Sequence, residues 1–403
     1  MTMASMKLAG VALSGFLLAA VSAHAATEKV VYEFKSGNNG ASPLAGLIEI
    51  GGTFYGTAYQ GGGSGCGGIG CGTVFSMTKA GKVKVLHVFT GGSDGASPLG
   101  GLIDVNGTLY GTTTGGGAYG DGTVFSVTTA GEETVVYSFM GGSDGRTPNG
   151  SLIDVGGTLY GATFLGGDAN ICDGGGCGTV FSVTPAGVEA VVYVFQGGSD
   201  ASGADGSLIN VNGTLYGTSQ GGGGSANCTM GCGTVFSVTP GGSEQVVYAF
   251  QGGSDGMEPN AGLIDVNGTL YGTTFQGGYS GGQCFGGCGI VFSVTPEGDE
   301  QMLYAFRGGS TDGMWPDSSL ISVGSKLYGT TYESTQLGAG TVFSVTPAGA
   351  EKVVFPFGLD GEDGANPEAD LIEVGGKLYG TTTAGGGTGC GGVGCGTVYS
   401  VKP

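Results

Sequence analysis

Ten cysteines fall in five close pairs, the first pattern in this 403-residue sequence that could do chemistry. The second member of each pair directly precedes a Gly-Thr-Val or Gly-Ile-Val segment. A local disulfide that pins a loop needs two thiols, whereas the alternative, zinc, needs four ligands, and no histidine lies nearby. Redox catalysis would need Cys-x-x-Cys, which is absent. We therefore predict an oxidising compartment and five disulfides, which join Cys66 to Cys71, Cys172 to Cys177, Cys228 to Cys232, Cys284 to Cys288 and Cys390 to Cys395.

Aspartates recur in a second pattern, of which Gly-Gly-Ser-Asp-Gly at residues 91–95 is the clearest copy. Asp and Ser side chains bond nearby backbone N–H groups, so these residues suit turns. The functional alternative is a ring of carboxylates for a polar or cationic ligand, with calcium as the candidate ion. Trp315 and Asp317 make one of these loops the most distinctive. The predicted ligand-binding residues are Asp94, Asp144, Asp255, Asp312, Trp315, Asp317 and Asp363.

Five acids, Asp317 and four others, depart from the repeated pattern just before short apolar strands. Glycosidases can work with two carboxylates alone, so these residues are the candidates for an enzyme. A quinone- or haem-dependent enzyme is not indicated, because Cys-x-x-Cys-His is absent and Trp occurs once. No cofactor is predicted apart from the calcium alternative. The candidate acids are Asp205, Glu258, Asp317, Glu368 and Asp370.

The elements that position these residues repeat seven times, with a period of 50–56 residues. In the copy that starts at Leu102, an apolar segment is followed by Asn106-Gly107, a strong signal for a two-residue hairpin. A return strand, a Gly-rich loop, a third strand, a tight turn and a fourth strand follow. Four β-rich segments of this length predict one propeller blade.

The phase of the repeat predicts a closed ring. The sequence after residue 25 opens with a fourth strand and closes with a third strand, so the first strand would complete the last blade and remove both open edges. We predict an all-β, seven-bladed β-propeller of four-stranded blades over residues 26–403, with an open solenoid as the alternative. The long loops would share one face, the default position for a site.

The recurring blocks Gly-Thr-Val-Phe-Ser-Val-Thr-Pro-Ala-Gly, Leu-Ile-x-Val and Leu-Tyr-Gly-Thr-Thr, in fixed order, resemble the GloVer tandem repeat of exported bacterial proteins. The resemblance covers residues 29–403. It implies export and a repeat architecture, and it carries no catalytic residue.

Residues 1–25 predict a cleaved signal peptide, with Lys7, an apolar run from Leu8 to Val21, and Ala-x-Ala at residues 23–25. We therefore expect a secreted protein, periplasmic or extracellular, with no membrane span in the mature chain. The formal charge of −20 argues against nucleic acid as a partner. A monomer is expected, with an extracellular glycan or a protein as partner.

Two functions remain open at this point. The main prediction is a non-catalytic binding module that uses the long-loop face. The alternative is an extracellular carbohydrate-active hydrolase or lyase with carboxylates near the central channel. A deep pocket with two carboxylates would favour the enzyme, and a shallow glycine-lined surface would favour binding.

Overall fold

Seven antiparallel sheets form a ring of seven blades, which confirms the predicted propeller. The structure is a computed structural model that describes residues 28–35, 37–279, 284–309, 312–334, 338–358 and 362–403. The predicted signal peptide lies outside the described residues. Within these ranges, no helix is long or apolar enough to cross a membrane.

Each blade has four strands in sequence order from the channel outward. In the first four blades these are Ile48–Ile50, Thr53–Ala58, Thr73–Thr78 and Val83–Val88; Ile103–Val105, Thr108–Thr113, Thr123–Thr128 and Glu133–Ser138; Ile153–Val155, Thr158–Leu165, Thr179–Val183 and Glu189–Val194; and Ile209–Val211, Thr214–Gly222, Thr234–Val238 and Glu244–Ala249.

The last three blades repeat the pattern with Ile264–Val266, Thr269–Thr274, Ile290–Val294 and Glu300–Ala305; Ile321–Val323, Lys326–Glu333, Thr341–Val345 and Glu351–Pro356; and Ile372–Glu373, Leu378–Thr382, Thr397–Val401 and Lys29–Glu33. Short additional strands precede blades 3, 4 and 6 at Arg146–Pro148, Ala201–Ala204 and Met314–Pro316. The 3-10 turns are Gly37–Asn39, Cys66–Gly68, Gly142–Asp144, Cys172–Gly174, Gly253–Asp255 and Cys390–Gly392.

The inner hairpin is short because two residues with positive φ reverse the chain in six of the seven blades; in blade 6 only Gly324 has a positive φ. Asn106 and Gly107 have φ angles of 55° and 86°, the combination that a type I′ turn requires. The Asp104 carboxylate accepts a 2.9 Å hydrogen bond from the Gly107 N–H and fixes the turn. The β-branched and aromatic residues on either side then pair in register, with Asp104 opposite Leu109.

The ring closes through the last blade, where the outer strand comes from the start of the described chain. Lys29–Glu33 pairs antiparallel with Thr397–Val401, and Lys29 lies opposite Ser400. The ring therefore closes as the phase of the repeat predicts. The pairing covers the edge of Thr397–Val401 that would otherwise be open.

The core between blades is an aromatic ladder that repeats at all seven interfaces. A phenylalanine after the outer strand of one blade packs edge-to-face on the aromatic residue of the third strand in the next, at centroid distances of 4.9–5.3 Å. This is a favourable geometry for aromatic rings. The pairs are Phe34–Phe75, Phe89–Phe125, Phe139–Phe181, Phe195–Phe236, Phe250–Phe292, Phe306–Phe343 and Phe357–Tyr399.

Candidate functional site

A cavity of about 270 Å³ occupies the centre of the ring, and each blade contributes to it. In six blades the contributing residue directly follows a proline, and in blade 4 it follows Ala204. We call these seven residues the channel ring: Leu44, Leu99, Asn149, Asp205, Asn260, Asp317 and Glu368. Residues two positions later also face the cavity, because side chains of an extended segment alternate. They form a second ring: Gly46, Gly101, Ser151, Ser207, Gly262, Ser319 and Asp370.

The channel ring is held in place by an unusual backbone conformation just before it. The residue that precedes the proline has a positive φ, for example 58° at Trp315 and 56° at Glu258. The Trp315 N–H donates a 2.8 Å hydrogen bond to the Cys288 carbonyl, which ties the segment to the preceding blade. Positive φ at a residue as bulky as tryptophan is rare, and such strain clusters at functional sites.

From blade 3 to blade 6, the residues of the channel ring alternate between an amide and an acid. Asn149 Nδ2 donates to Asp205 Oδ1 at 2.9 Å, which joins blades 3 and 4. Asn260 makes the corresponding side-chain hydrogen bond to Asp317 in the next blade. Gln220 Nε2 in turn donates to Asn260 Oδ1 at 3.4 Å, which leaves the Asn260 amide nitrogen free to face Asp317. The amides therefore orient the two aspartates toward the channel.

Burial, together with the neighbouring carboxylates of Glu368, Asp205 and Asp370, raises the pKa of Asp317 to about 8 against the hydrogen bond from Asn260. Burial also raises the pKa of Glu368 to about 7, opposed by a 3.2 Å hydrogen bond from Thr383 Oγ1. Burial raises the pKa of Asp205, while the bond from Asn149 lowers it. The channel thus holds two carboxyl groups, Asp317 and Glu368, that gain or lose a proton near neutral pH, as general acid–base catalysis requires.

The second ring braces the blades. The Gly101 N–H donates to Ser151 Oγ at 2.8 Å, and the Ser151 N–H donates to Ser207 Oγ at 2.9 Å. Asp370 links blades 6 and 7 in the same way, because its Oδ1 accepts a 2.6 Å hydrogen bond from the Ser319 N–H. Burial raises the pKa of Asp370, and the Ser319 hydrogen bonds oppose this. Asp370 is therefore a positioning residue.

Of the predicted ligand-binding residues, only Asp317 lines the cavity. The others belong to the connections between blades. Asp144 accepts hydrogen bonds from the Tyr137 hydroxyl at 2.9 Å and from the Met140 N–H at 2.7 Å. Asp255 and Asp312 are bonded in the same way by Tyr248 and Tyr304. These are contacts typical of turn residues, and ligand binding by Asp94, Asp144, Asp255, Asp312, Trp315 or Asp363 stays a prediction. Trp315 stacks on Phe275, with ring centroids 5.9 Å apart.

At six of the seven connections between blades, a glutamate of the following blade faces the aspartate of the connection. Burial and the charge of the facing aspartate raise the pKa of each glutamate to about 7, and its Oε1 has no hydrogen-bond partner among the described residues. The pairs are Glu28–Asp363, Glu133–Asp94, Glu189–Asp144, Glu244–Asp200, Glu300–Asp255 and Glu351–Asp312. At the seventh interface Val83 takes the register position of the glutamate, and Asn39 takes the place of the aspartate.

The five predicted disulfides are all present, and no free cysteine lies in the described part of the chain. The structure joins Cys66 to Cys71, Cys172 to Cys177, Cys228 to Cys232, Cys284 to Cys288 and Cys390 to Cys395, with Cα–Cα distances of 5.2–5.4 Å. Four of the five disulfides pack against a glycine of a connection between blades. A Cβ added at Gly197 would lie 2.9 Å from the Sγ atoms of both Cys172 and Cys177. Disulfides support an extracytoplasmic location, because they persist in oxidising compartments.

The sequence pointed to all four carboxyl groups that line the cavity. It placed a fifth candidate acid near the channel wrongly. Glu258 lies at the strained position before proline, where Gln276 Nε2 donates to its Oε2 at 2.9 Å. It does not line the cavity. Sequence reasoning also missed Asn149 and Asn260 and the apolar Leu44 and Leu99. The signal that could have found them is their shared position directly after a proline.

Calcium stays a prediction. Among the described residues, no group of three or more Asp, Glu, His or Cys side chains is arranged to hold a metal ion.

Comparison with known proteins decides the family. The model of the Gloeobacter/Verrucomicrobia repeat matches residues 10–173, 67–285 and 225–403, which together span almost the whole chain. The chain belongs to the Gloeobacter/Verrucomicrobia repeat family. This confirms the resemblance to the GloVer repeat. No curated protein matches the chain.

Solved structures similar to this member of the Gloeobacter/Verrucomicrobia repeat family include three enzymes. A gluconolactonase from Xanthomonas campestris is 13% identical over 94% of this chain and 89% of that chain, with a TM-score of 0.44. A PQQ-bound aldose sugar dehydrogenase from Streptomyces coelicolor is 14% identical over 94% and 98%, with a TM-score of 0.43. A luciferin-regenerating enzyme is 14% identical over 83% and 99%, with a TM-score of 0.46.

The prediction of a non-catalytic binding module is wrong. The feature that separates the two interpretations, a pocket lined by several carboxyl groups, is present at the centre of the ring. Likeness at 13–14% identity shows the fold alone, so the case for an enzyme depends on the cavity.

Proposed function

We propose that this protein is an extracytoplasmic hydrolase that cleaves a carbohydrate by acid–base catalysis in the central channel. The observation that carries the proposal is the Asp317 carboxyl, which lines the cavity close to three other carboxyl groups. Because its pKa is raised to about 8, Asp317 is protonated at neutral pH and can act as a general acid.

The roles of the other groups follow from their surroundings. Asp317 donates its proton to the leaving-group oxygen of the scissile bond. Glu368, in the next blade and with a pKa raised to about 7, accepts a proton from the attacking water. Asp205, whose carboxyl group accepts a hydrogen bond from Asn149, faces the same cavity and stabilises the positive charge that develops on the sugar. Among the residues that line the cavity none is cationic, which disfavours a lyase that must neutralise a uronate.

The test is turnover of a panel of polysaccharides and aryl glycosides by the purified protein. Asp317→Asn and Glu368→Gln should each lower kcat by about 10²–10⁴-fold. Asp104→Asn, a change at an exposed hairpin, is the matched control and should leave kcat unchanged. The pH profile of the parent protein should be bell-shaped, with its maximum between the pKa values of Glu368 and Asp317. Turnover that survives both channel substitutions would exclude the mechanism.

A further inference from the structure

The two walls of the channel differ in chemistry. Blades 1 and 2 place Leu44 and Leu99 in the channel ring, at positions where the other five blades place an amide or an acid. Both leucines are partly exposed to the cavity. An apolar side chain at a water-filled channel gains free energy when a ligand with an apolar surface covers it.

The second ring keeps the apolar wall flat. Below the leucines it contains glycines, and a side chain at either position would crowd the neighbouring blade. A Cβ at Gly46 would lie 3.1 Å from the Asp370 Cβ, and one at Gly101 would lie 2.9 Å from Ser151 Oγ. Blades 1 and 2 therefore offer two leucine side chains above bare backbone, a surface that suits the face of a ring.

The remaining wall of the channel, which carries acids in blades 4, 6 and 7, is acidic without a counter-ion. Four carboxyl groups line the cavity, and no lysine, arginine or histidine is among its lining residues. The Asp205 carboxyl accepts a hydrogen bond from Asn149, which favours its charged form against the burial that raises its pKa, and a cation in the cavity would favour that form further. An anionic ligand would be repelled, and a cationic group would pair with these carboxylates.

We propose that the ligand of this channel is an amino sugar, with the C–H face of its pyranose ring on Leu44 and Leu99 and its ammonium group at the carboxylates. The inference rests on the proposed function and specifies its substrate class. The cavity, at about 270 Å³, lies just below the range of about 300–1,000 Å³ typical of small-molecule sites, so it holds one ring. A longer substrate continues outside the channel.

The experiment compares three neutral or cationic trimers and one anionic trimer by calorimetry on the full chain at pH 6. These are the trimers of glucosamine, N-acetylglucosamine, glucose and galacturonate. The glucosamine trimer should bind at least tenfold more tightly than either neutral trimer, which corresponds to one additional charge interaction of about 1.4 kcal/mol. The galacturonate trimer should bind most weakly.

Two substitutions separate the walls. Asp205→Asn should remove the preference for the amine and leave binding of the glucose trimer within about twofold. Leu44→Asn copies the residue found at the same position in blades 3 and 5, and it should weaken binding of glucosamine and glucose trimers alike. Melting curves of both variants report that the ring is intact.

The outcomes distinguish this inference from the proposed function. Equal affinity for the amine and the neutral trimers, together with turnover that depends on Asp317, overturns the amino-sugar inference and leaves the hydrolase. Tight, Asp205-dependent binding of the amine without turnover of any substrate supports the ligand class and overturns the hydrolase. Preferential binding of the galacturonate trimer overturns the amino-sugar inference.

Discussion

A single hydroxyl distinguishes the last step of the aromatic ladder from the other six. Tyr399 is fully buried, and its hydroxyl has no hydrogen-bond partner among the described residues. The other six blades carry phenylalanine at this position. A buried polar group without a partner costs about 1–3 kcal/mol. Tyr399→Phe should therefore raise the free energy of unfolding by about 1 kcal/mol or more, measured by urea denaturation.

The reverse substitution is the control. Phe343→Tyr in blade 6 places a hydroxyl at the equivalent position and should lower stability by a similar amount. If Tyr399→Phe were destabilising instead, the hydroxyl would have a partner that stabilises the fold, such as a bound water.

At the scale of the residue, the sequence predicted which side chains could do chemistry better than it predicted where they lie in the ring. Asp205, Asp317, Glu368 and Asp370 stood out because they break the repeat. The channel ring did not, because its seven members lie about fifty residues apart and meet only when the blades close around one axis. Leu44 and Leu99 look like ordinary core residues in the sequence, and only the ring shows that they face a cavity.

Four of the five disulfide-pinned loops pack on the connection that follows them, where one glycine has no space for a Cβ atom beside the disulfide: Gly91, Gly197, Gly252 and Gly308. Gly197 and Gly198 both have φ of 63°, but an added Cβ meets the Cys172–Cys177 disulfide at Gly197 and no atom within 4 Å at Gly198. Both alanine substitutions strain the backbone, and only Gly197→Ala also overpacks the disulfide. Gly197→Ala should cost about 1–3 kcal/mol more than Gly198→Ala in chemical denaturation.

A double-mutant cycle identifies the cause. In a Cys172→Ser, Cys177→Ser background the difference between the two alanine variants should shrink, because a serine pair can move apart. A difference that stays constant would assign the cost to the backbone alone.

The paired carboxyl groups between blades predict how stability depends on pH. The pKa of Glu300 is raised to about 7 from its ordinary value of 4.5 by burial and by the charge of Asp255. A raised folded-state pKa stabilises the protein fully below about pH 4.5, and that stability is lost as the pH rises through about 7. The melting temperature should therefore fall between pH 5 and pH 8.

Glutamine donates a hydrogen bond without titrating, so Glu300→Gln should flatten part of this decline and raise the melting temperature at pH 8. Glu297→Gln, an exposed residue of the same blade, removes an equal charge and is the control. Equal effects of the two substitutions would assign the pH dependence to the net charge of the protein.

At the scale of the element, hairpin signals and the repeat period predicted the strands within about one residue. The return strand predicted after Asn106-Gly107 is present as Thr108–Thr113, since this dipeptide fixes where the strand begins. The glutamate–aspartate pairs were not predicted. Their partners belong to different repeats, and a burial that depends on blade packing has no local pattern.

The whole ring depends on the contact between its first and last described strands. Removal of residues 1–33 would leave Thr397–Val401 with an unpaired edge, and it would also leave Phe34, which packs on Phe75, without the strand that holds it in place. The truncated protein should melt at a lower temperature and associate through the open edge, as measured by light scattering after size-exclusion chromatography.

Removal of residues 1–27 alone is the control, because it leaves Lys29–Glu33 in place. This shorter truncation should behave as the full chain does. Unchanged melting and unchanged mass after removal of residues 1–33 would show that the closing strand is dispensable.

The shared last blade also means that the strand made first waits longest for its partner. Lys29–Glu33 leaves the ribosome hundreds of residues before Thr397–Val401 exists, so the most distant contact in the sequence is the one that finishes the molecule. Six blades can form as the chain lengthens, but the seventh requires both strands. A product interrupted at any earlier point keeps an unpaired edge, a physical sign of incompleteness that chaperones and proteases can act on.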